Sequence, residues 1–231
     1  MPIKAIGFDA DDTLWINEPY FQEIEQRFCL LLEDFLEPHE ISKELFKTEI
    51  SNIELYGYGV KAFILSMLET AARLTGNSFN AKIASAIIGF GKEMLSKEVE
   101  LIDGTAHILN LLKDKYRLVV ATKGDLLDQE RKLRKSGLES YFHHVEIMSE
   151  KGSQDYSKLI HHLDILPEEF VMVGNSLKSD IIPVIEIGGY GIHIPFHTTW
   201  AHEKVDIEVK SPRFRHANSI YEVAELISTI K

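Results

Sequence analysis

A chain of 231 residues with 45% hydrophobic and 26% charged side chains has the makeup of a soluble globular protein, and the length for one large domain or a core domain carrying a smaller insert. Its 36 acidic side chains outnumber 25 basic ones, and the resulting charge of −11 disfavours nucleic acid and anionic membrane surfaces as partners. No apolar run approaches the roughly 20 residues of a membrane-spanning helix, and no signal-peptide pattern precedes the first apolar stretch, so a cytoplasmic location is expected. The single cysteine, Cys29, has no internal partner for a disulfide and reads as a core thiol.

The first expected strand, Ile3 to Phe8, is apolar or small almost throughout, as a strand buried on both faces should be. It ends in Asp9-Ala10-Asp11-Asp12, three carboxylates within four positions. Such a cluster is costly unless a cation or a reacting group sits among its members. From Glu18 the period becomes helical, with Phe21, Ile24, Phe28, Leu31, Leu32 and Phe35 on one face, until Pro38 is expected to break the helix. Further helices are expected over Ile41 to Ile53, Val60 to Leu74 and Asn80 to Lys97. Residues 17–101 therefore read as an all-helical, four-helix unit interrupting an α/β core made of residues 1–16 and 102–231.

Beyond Asp103-Gly104 the pattern alternates. Helices are expected over Thr105 to Asp114, Leu126 to Lys135, Gln154 to Leu163 and Ile181 to Ile187, and strands over Arg117 to Ala121, His144 to Met148, Phe170 to Val173 and Gly191 to Ile194. A last helix spans Ser219 to Ile230. This alternation implies right-handed crossovers and a Rossmann-like, doubly wound parallel sheet. In such a sheet ligands bind beyond the carboxyl ends of the strands. That edge collects Asp9 and Asp11, then Thr122 and Lys123, then Lys151, then Asn175, Ser176 and Asp180. Carboxylates suited to a cation, with a hydroxyl and an ammonium suited to an anion, match a phosphate held beside Mg²⁺.

Asp9-Ala10-Asp11-Asp12-Thr13, Thr122 after an apolar strand, Lys151, and Gly174-Asn175-Ser176-Leu177-Lys178-Ser179-Asp180 together resemble the four motifs of the haloacid dehalogenase superfamily of hydrolases. The resemblance covers residues 1–16 and about 102–200. It implies that Asp9 is the nucleophile that forms an aspartyl-phosphate, that Asp11 protonates the leaving oxygen and then activates water, that Thr122 holds a phosphoryl oxygen, and that Lys151 neutralises charge. It also implies Mg²⁺ held by Asp9, Asp180 and the backbone carbonyl of Asp11.

Two positions depart from the family pattern. Asn175 stands where a second acid is common, so one metal ligand is an amide or a water that the amide holds. Asp12 stands where glycine is common, and is expected to face solvent or cap a turn without acting chemically. Lys151 is preferred to Lys158 because Lys158 falls inside the next helix. The helical insert would be a cap closing over a small phosphate ester, its loop bringing Tyr56, Tyr58 and Lys61 toward the substrate, and Lys123 is a further candidate contact.

The pairing of Asp11 with Asp180 argues for phosphoester hydrolysis. A phosphoryl-transferring mutase, a dehalogenase and a catalytically silent binding or regulatory module remain alternatives. The glycines of Gly57-Tyr58-Gly59-Val60-Lys61-Ala62 mimic a dinucleotide fingerprint but lie between helices. The pairs His143-His144 and His161-His162 point two ways each, and His197, Trp200 and His202 lack zinc spacing, so all read as loop or surface residues. Trp15 is placed at the cap hinge.

Overall fold

The computed structural model describes residues 2–230. Its α/β unit, residues 1–18, 99–123 and 129–231, carries a six-stranded, wholly parallel sheet in the order β3-β2-β1-β4-β5-β6. The strands are β1 (Ala5–Phe8), β2 (Arg117–Lys123), β3 (His144–Met148), β4 (Phe170–Gly174), β5 (Tyr190–His193) and β6 (Phe214–His216). Strand order reverses between β1 and β4, and this is the switch point at which an open α/β sheet binds its ligand.

Alternation along each strand sorts the core into two layers. Ile6, Phe8, Leu118, Val120, Val171 and Val173 face one way, against α5 (Thr105–Leu112), Leu133 of α6 (Leu126–Lys135) and α9 (Val223–Ser228). Ala5, Val119, Ala121, Phe170 and Met172 face the other, against Tyr156, Leu159 and Ile160 of α7 (Ser153–His162) and Val184 of α8 (Ile182–Glu186). Helices on both faces are why the central strands are apolar throughout.

The second unit comprises residues 19–98 and 124–128. It contains α1 (Glu18–Leu31, whose first residue belongs to the other unit), α2 (Pro38–Tyr56), α3 (Val60–Thr75) and α4 (Ala81–Ser96). Its core joins Ile24, Phe28 and Leu32 to Ile41 and Leu45, Phe63 and Met67, and Ile83 and Ile87. Asn80 caps α4, its side chain accepting from the backbone of Lys82 at 2.9 Å and Ile83 at 3.2 Å.

Pro38 does not act as a simple breaker. It opens α2 at the first helical position, where a missing N–H costs nothing. Residues 124–128 group with the helical unit, and Lys61 pairs there with Asp125 at 2.9 Å. Among the described residues, no helix is long and apolar enough to cross a membrane.

Candidate active site

Asp9 follows β1 directly, and its N–H donates to the carbonyl of Val173 at 2.9 Å, which extends the β1–β4 pairing to the first catalytic candidate. Its carboxyl is buried, and Thr13 Oγ1 donates to Oδ2 at 3.1 Å. Lys151, itself buried, bridges the two aspartates: Nζ contacts Asp9 Oδ1 and donates to Asp180 Oδ1 at 2.6 Å. Lys158 is exposed and pairs with Asp155 at 3.1 Å in its own helix.

Burial pushes the Asp9 carboxyl up to about 7; the Lys151 ammonium pulls it down, and the charge of Asp180 pushes it up again. Burial likewise opposes the charge on Lys151, but Asp180 and Asp9 outweigh it and hold that ammonium well above the ordinary lysine range. Two buried carboxylates share one buried cation, so the cluster carries excess negative charge.

Asp180 is aimed by its own turn. Its Oδ2 accepts from the backbone of Ser176 at 2.9 Å, and its N–H returns to the Ser176 carbonyl at 2.9 Å. This packing requires glycine at the end of β4, because a Cβ on Gly174 would sit 2.3 Å from Asp180 Oδ2. Gly174→Ala is therefore expected to displace the Asp180 carboxylate and cut turnover by about 10²-fold, with far-UV circular dichroism preserved, since sub-ångström positioning of reacting groups carries effects of that size. Wild-type kinetics in that variant would mean that the position of Asp180 does not matter.

Asp11 accepts from three donors: Trp15 Nε1 at 2.6 Å, Gln129 Nε2 at 2.8 Å, and Lys132 Nζ at 2.6 and 2.8 Å. Sequence reasoning did not assign Gln129 or Lys132. Their spacing of three on α6 puts them on one face, the one signal the sequence held; the burial of Gln129 came only with the fold. Trp15 packs in the core of the α/β unit beside Leu14 and Leu101.

Asp12 does not face solvent. It is buried, and it caps the start of α1 by accepting from Asn17 N at 2.9 Å and Glu18 N at 3.0 Å. Its φ of 63° lies in the left-handed region, where glycine is most at home and aspartate is tolerated. Desolvation pushes this carboxyl up to about 7, against the pull of its hydrogen bond from Asn17.

Thr122 is buried near the end of β2, in register with Ile147. The ammonium of Lys123, the last residue of that strand, is engaged by Glu203 at 2.5 Å and Ser179 at 3.1 Å. Asn175 lies within reach of Thr13 Oγ1, 3.5 Å from its Oδ1. Tyr56, Tyr58 and Lys61 belong to the helical unit, with Tyr56 exposed at the end of α2. His144 pairs with Glu146 at 2.8 Å, while His197 and His202 lie against Phe196 and Trp200 with their rings tilted.

The described residues contain no group of three or more His, Cys, Asp or Glu side chains able to hold a metal ion. The oxygen donors gathered around Asp9 are its own carboxylate, that of Asp180 across Lys151, and the Asn175 amide across Thr13. That all-oxygen set, with its excess negative charge, fits Mg²⁺, which keeps several of its waters and binds through one or two carboxylates.

A Rossmann-like sheet whose switch point carries a lysine-bridged pair of aspartates is the arrangement of a hydrolase core. The family model described as haloacid dehalogenase-like hydrolase matches residues 3–188, and the chain belongs to that family. It is 35% identical to the haloacid dehalogenase-like family hydrolase from Xanthomonas campestris, with a TM-score of 0.89 over 99% of this chain and 91% of that one. The glyceraldehyde 3-phosphate phosphatase of Pyrococcus furiosus is 25% identical over 225 residues, 90% of this chain and 86% of that protein. The magnesium-bound structure of the hydrolase YfnB from Bacillus subtilis shares the fold at 17% identity, with a TM-score of 0.67 over 99% of this chain and all of that one.

Proposed function

We propose that the protein is a Mg²⁺-dependent phosphatase that hydrolyses a small phosphorylated metabolite through an aspartyl-phosphate. The observation that carries this reading is the buried Asp9–Lys151–Asp180 cluster at the switch point, with Asp11 two residues after the nucleophile. A dehalogenase attacks with an aspartate but has no need of Asp11 or of a metal-binding Asp180. The relatives named as glyceraldehyde 3-phosphate phosphatases support the same choice.

In this reading an Asp9 oxygen bonds to phosphorus as the ester P–O bond breaks, and Asp11 delivers a proton to the departing oxygen. Water then attacks the phosphorus of the aspartyl-phosphate, giving its proton to Asp11, and the P–O bond to Asp9 breaks to release phosphate. Thr122 donates to a phosphoryl oxygen, while Lys151 keeps Asp9 oriented and offsets its charge. Mg²⁺ held by Asp9, Asp180, the Asp11 carbonyl and Asn175 would neutralise the phosphoryl group it faces.

A panel of phosphate esters tests the proposal: glyceraldehyde 3-phosphate, other sugar and triose phosphates, nucleotides, phosphorylated acids and 4-nitrophenyl phosphate, each with Mg²⁺ and with EDTA. Phosphate release that requires Mg²⁺ is expected from at least one small ester. A folded protein that releases none would favour the silent-module reading, and halide release from a 2-haloacid would favour the dehalogenase.

A further inference from the structure

The segment that follows β5 returns to the site edge through one acidic side chain that neither the family motifs nor the proposed chemistry uses. Glu203 lies in a short 3₁₀ turn, Ala201–Glu203, with its side chain 12% exposed. Its Oε2 accepts from Ser176 Oγ at 2.6 Å and from Ser179 Oγ at 2.6 Å, and its Oε1 accepts from Lys123 Nζ at 2.5 Å. One carboxylate thus ties the last residue of β2 to both serines of the loop after β4.

Those serines frame the metal-ligand candidates. Ser176 stands between Asn175 and the turn Leu177–Ile181, its Oγ accepts from Ser179 N at 3.0 Å, and its backbone N–H donates to Asp180 Oδ2 at 2.9 Å. A second contact binds the same segment to the same turn, since Lys178 Nζ donates to the carbonyl of His202 at 2.9 Å.

We infer that Glu203 is a positioning residue for the cation site: through Ser176 and Ser179 it fixes the Asn175–Asp180 turn in the conformation that presents Asp180 beside Asp9. The inference rests on the Mg²⁺ reading above. The carboxylate is built to remain charged in this position. Burial works against that charge, yet Lys123 and the serine hydroxyls outweigh it and hold the group down at about 2. A carboxylate that locks two hydroxyl rotors and one ammonium removes the freedom of the turn that carries a ligand. Such outer-shell partners typically govern metal affinity by about 10- to 100-fold. The inference also gives Lys123 a place, as the counter-charge that lets Glu203 be buried.

The test is direct Mg²⁺ binding by isothermal titration calorimetry, which needs no turnover, on wild type, Glu203→Ala, Glu203→Gln and Ser179→Ala. Glu203→Ala is expected to raise the Mg²⁺ Kd by at least about tenfold. The Gln side chain keeps an oxygen for both serine hydroxyls but sets its amide N–H against Lys123 Nζ, so its Kd is expected to fall between wild type and Glu203→Ala. Ser179→Ala, which removes one anchor with little change in volume, is expected to weaken binding measurably and serves as the deciding variant where Glu203→Ala does not fold. An unchanged Kd in the folded variants overturns the inference. A wild type that binds Mg²⁺ but hydrolyses no ester overturns the phosphatase reading and leaves this one standing, and a wild type that binds no Mg²⁺ overturns both.

Discussion

Replacing Asp9 by Asn is expected to reduce turnover of 4-nitrophenyl phosphate in Mg²⁺ by at least ~10³-fold while leaving the fold in place, since removing a nucleophile costs that much or more in enzymes of covalent mechanism. An amide has the shape of the carboxyl but not its nucleophilicity, and in the proposed site it takes away a metal ligand as well. The fold should survive because the change relieves a buried excess of negative charge. Lys151 keeps Asp180 as its partner at 2.6 Å, and Thr13 keeps an oxygen to which it can donate. Initial rates, measured with thermal melts of both proteins, check this. A variant within tenfold of wild type would rule out Asp9 as the attacking group and with it the aspartyl-phosphate.

The second large effect concerns stability. Lys151→Met leaves the carboxylates of Asp9 and Asp180 buried without their shared cation. Removing one partner of a buried ion pair costs about 3 to 5 kcal/mol. For a chain of this length that is a fall in Tm of roughly 6 to 20 °C in EDTA. Mg²⁺ should restore much of the loss, so the rise in Tm on adding Mg²⁺ is expected to be larger in the variant than in wild type.

The pH dependence has a definite sign. Burial already holds Asp9 up at about 7. A carboxyl raised in the folded state takes up its proton at a higher pH than the same group in the unfolded chain. The deficit is therefore full where both carboxyls are charged and shrinks as pH falls through the raised value. Differential scanning fluorimetry of both proteins between pH 5 and 8 reads it directly. Equal melting temperatures in EDTA at pH 8 would show that Lys151 does not neutralise the pair.

How much of this was legible in the chain depends on the range over which each feature is determined. The elements came from local periodicity: the 3.6-residue stripe of Phe21, Ile24 and Phe28, and the apolar runs at β1, β2 and β4, are patterns that a segment carries within itself. The strand β6, Phe214–His216, escaped because three residues with an arginine at the centre carry no such signal; it exists because β5 offers a free edge. Pro38 was misread for the opposite reason, since one residue that ends a helix can also begin the next.

The same division holds at the site. Asp9, Lys151 and Asp180, which the structure joins, were expected on one edge from sequence, because a parallel sheet sends every strand-to-helix loop to one edge and the chain announces each strand end. What shares that edge is a matter of topology, but what touches what is a matter of packing. That Lys151 bridges two aspartates, that Lys132 and Gln129 hold Asp11, and that Asp12 is a buried cap in the left-handed region all follow from how the segments after β1, β3 and β4, and the start of α1 and the face of α6, meet in space. Glu203 is a further case, reaching Lys123 from 80 residues away with no motif to announce it. The sequence by itself determined the α/β class, the carboxyl-end location of the site and the chemical kinds of side chain gathered there. Only the tertiary structure decided the partners, charges and orientations of those side chains, because hydrogen bonds and desolvation act over a few ångströms in space, whatever the separation along the chain.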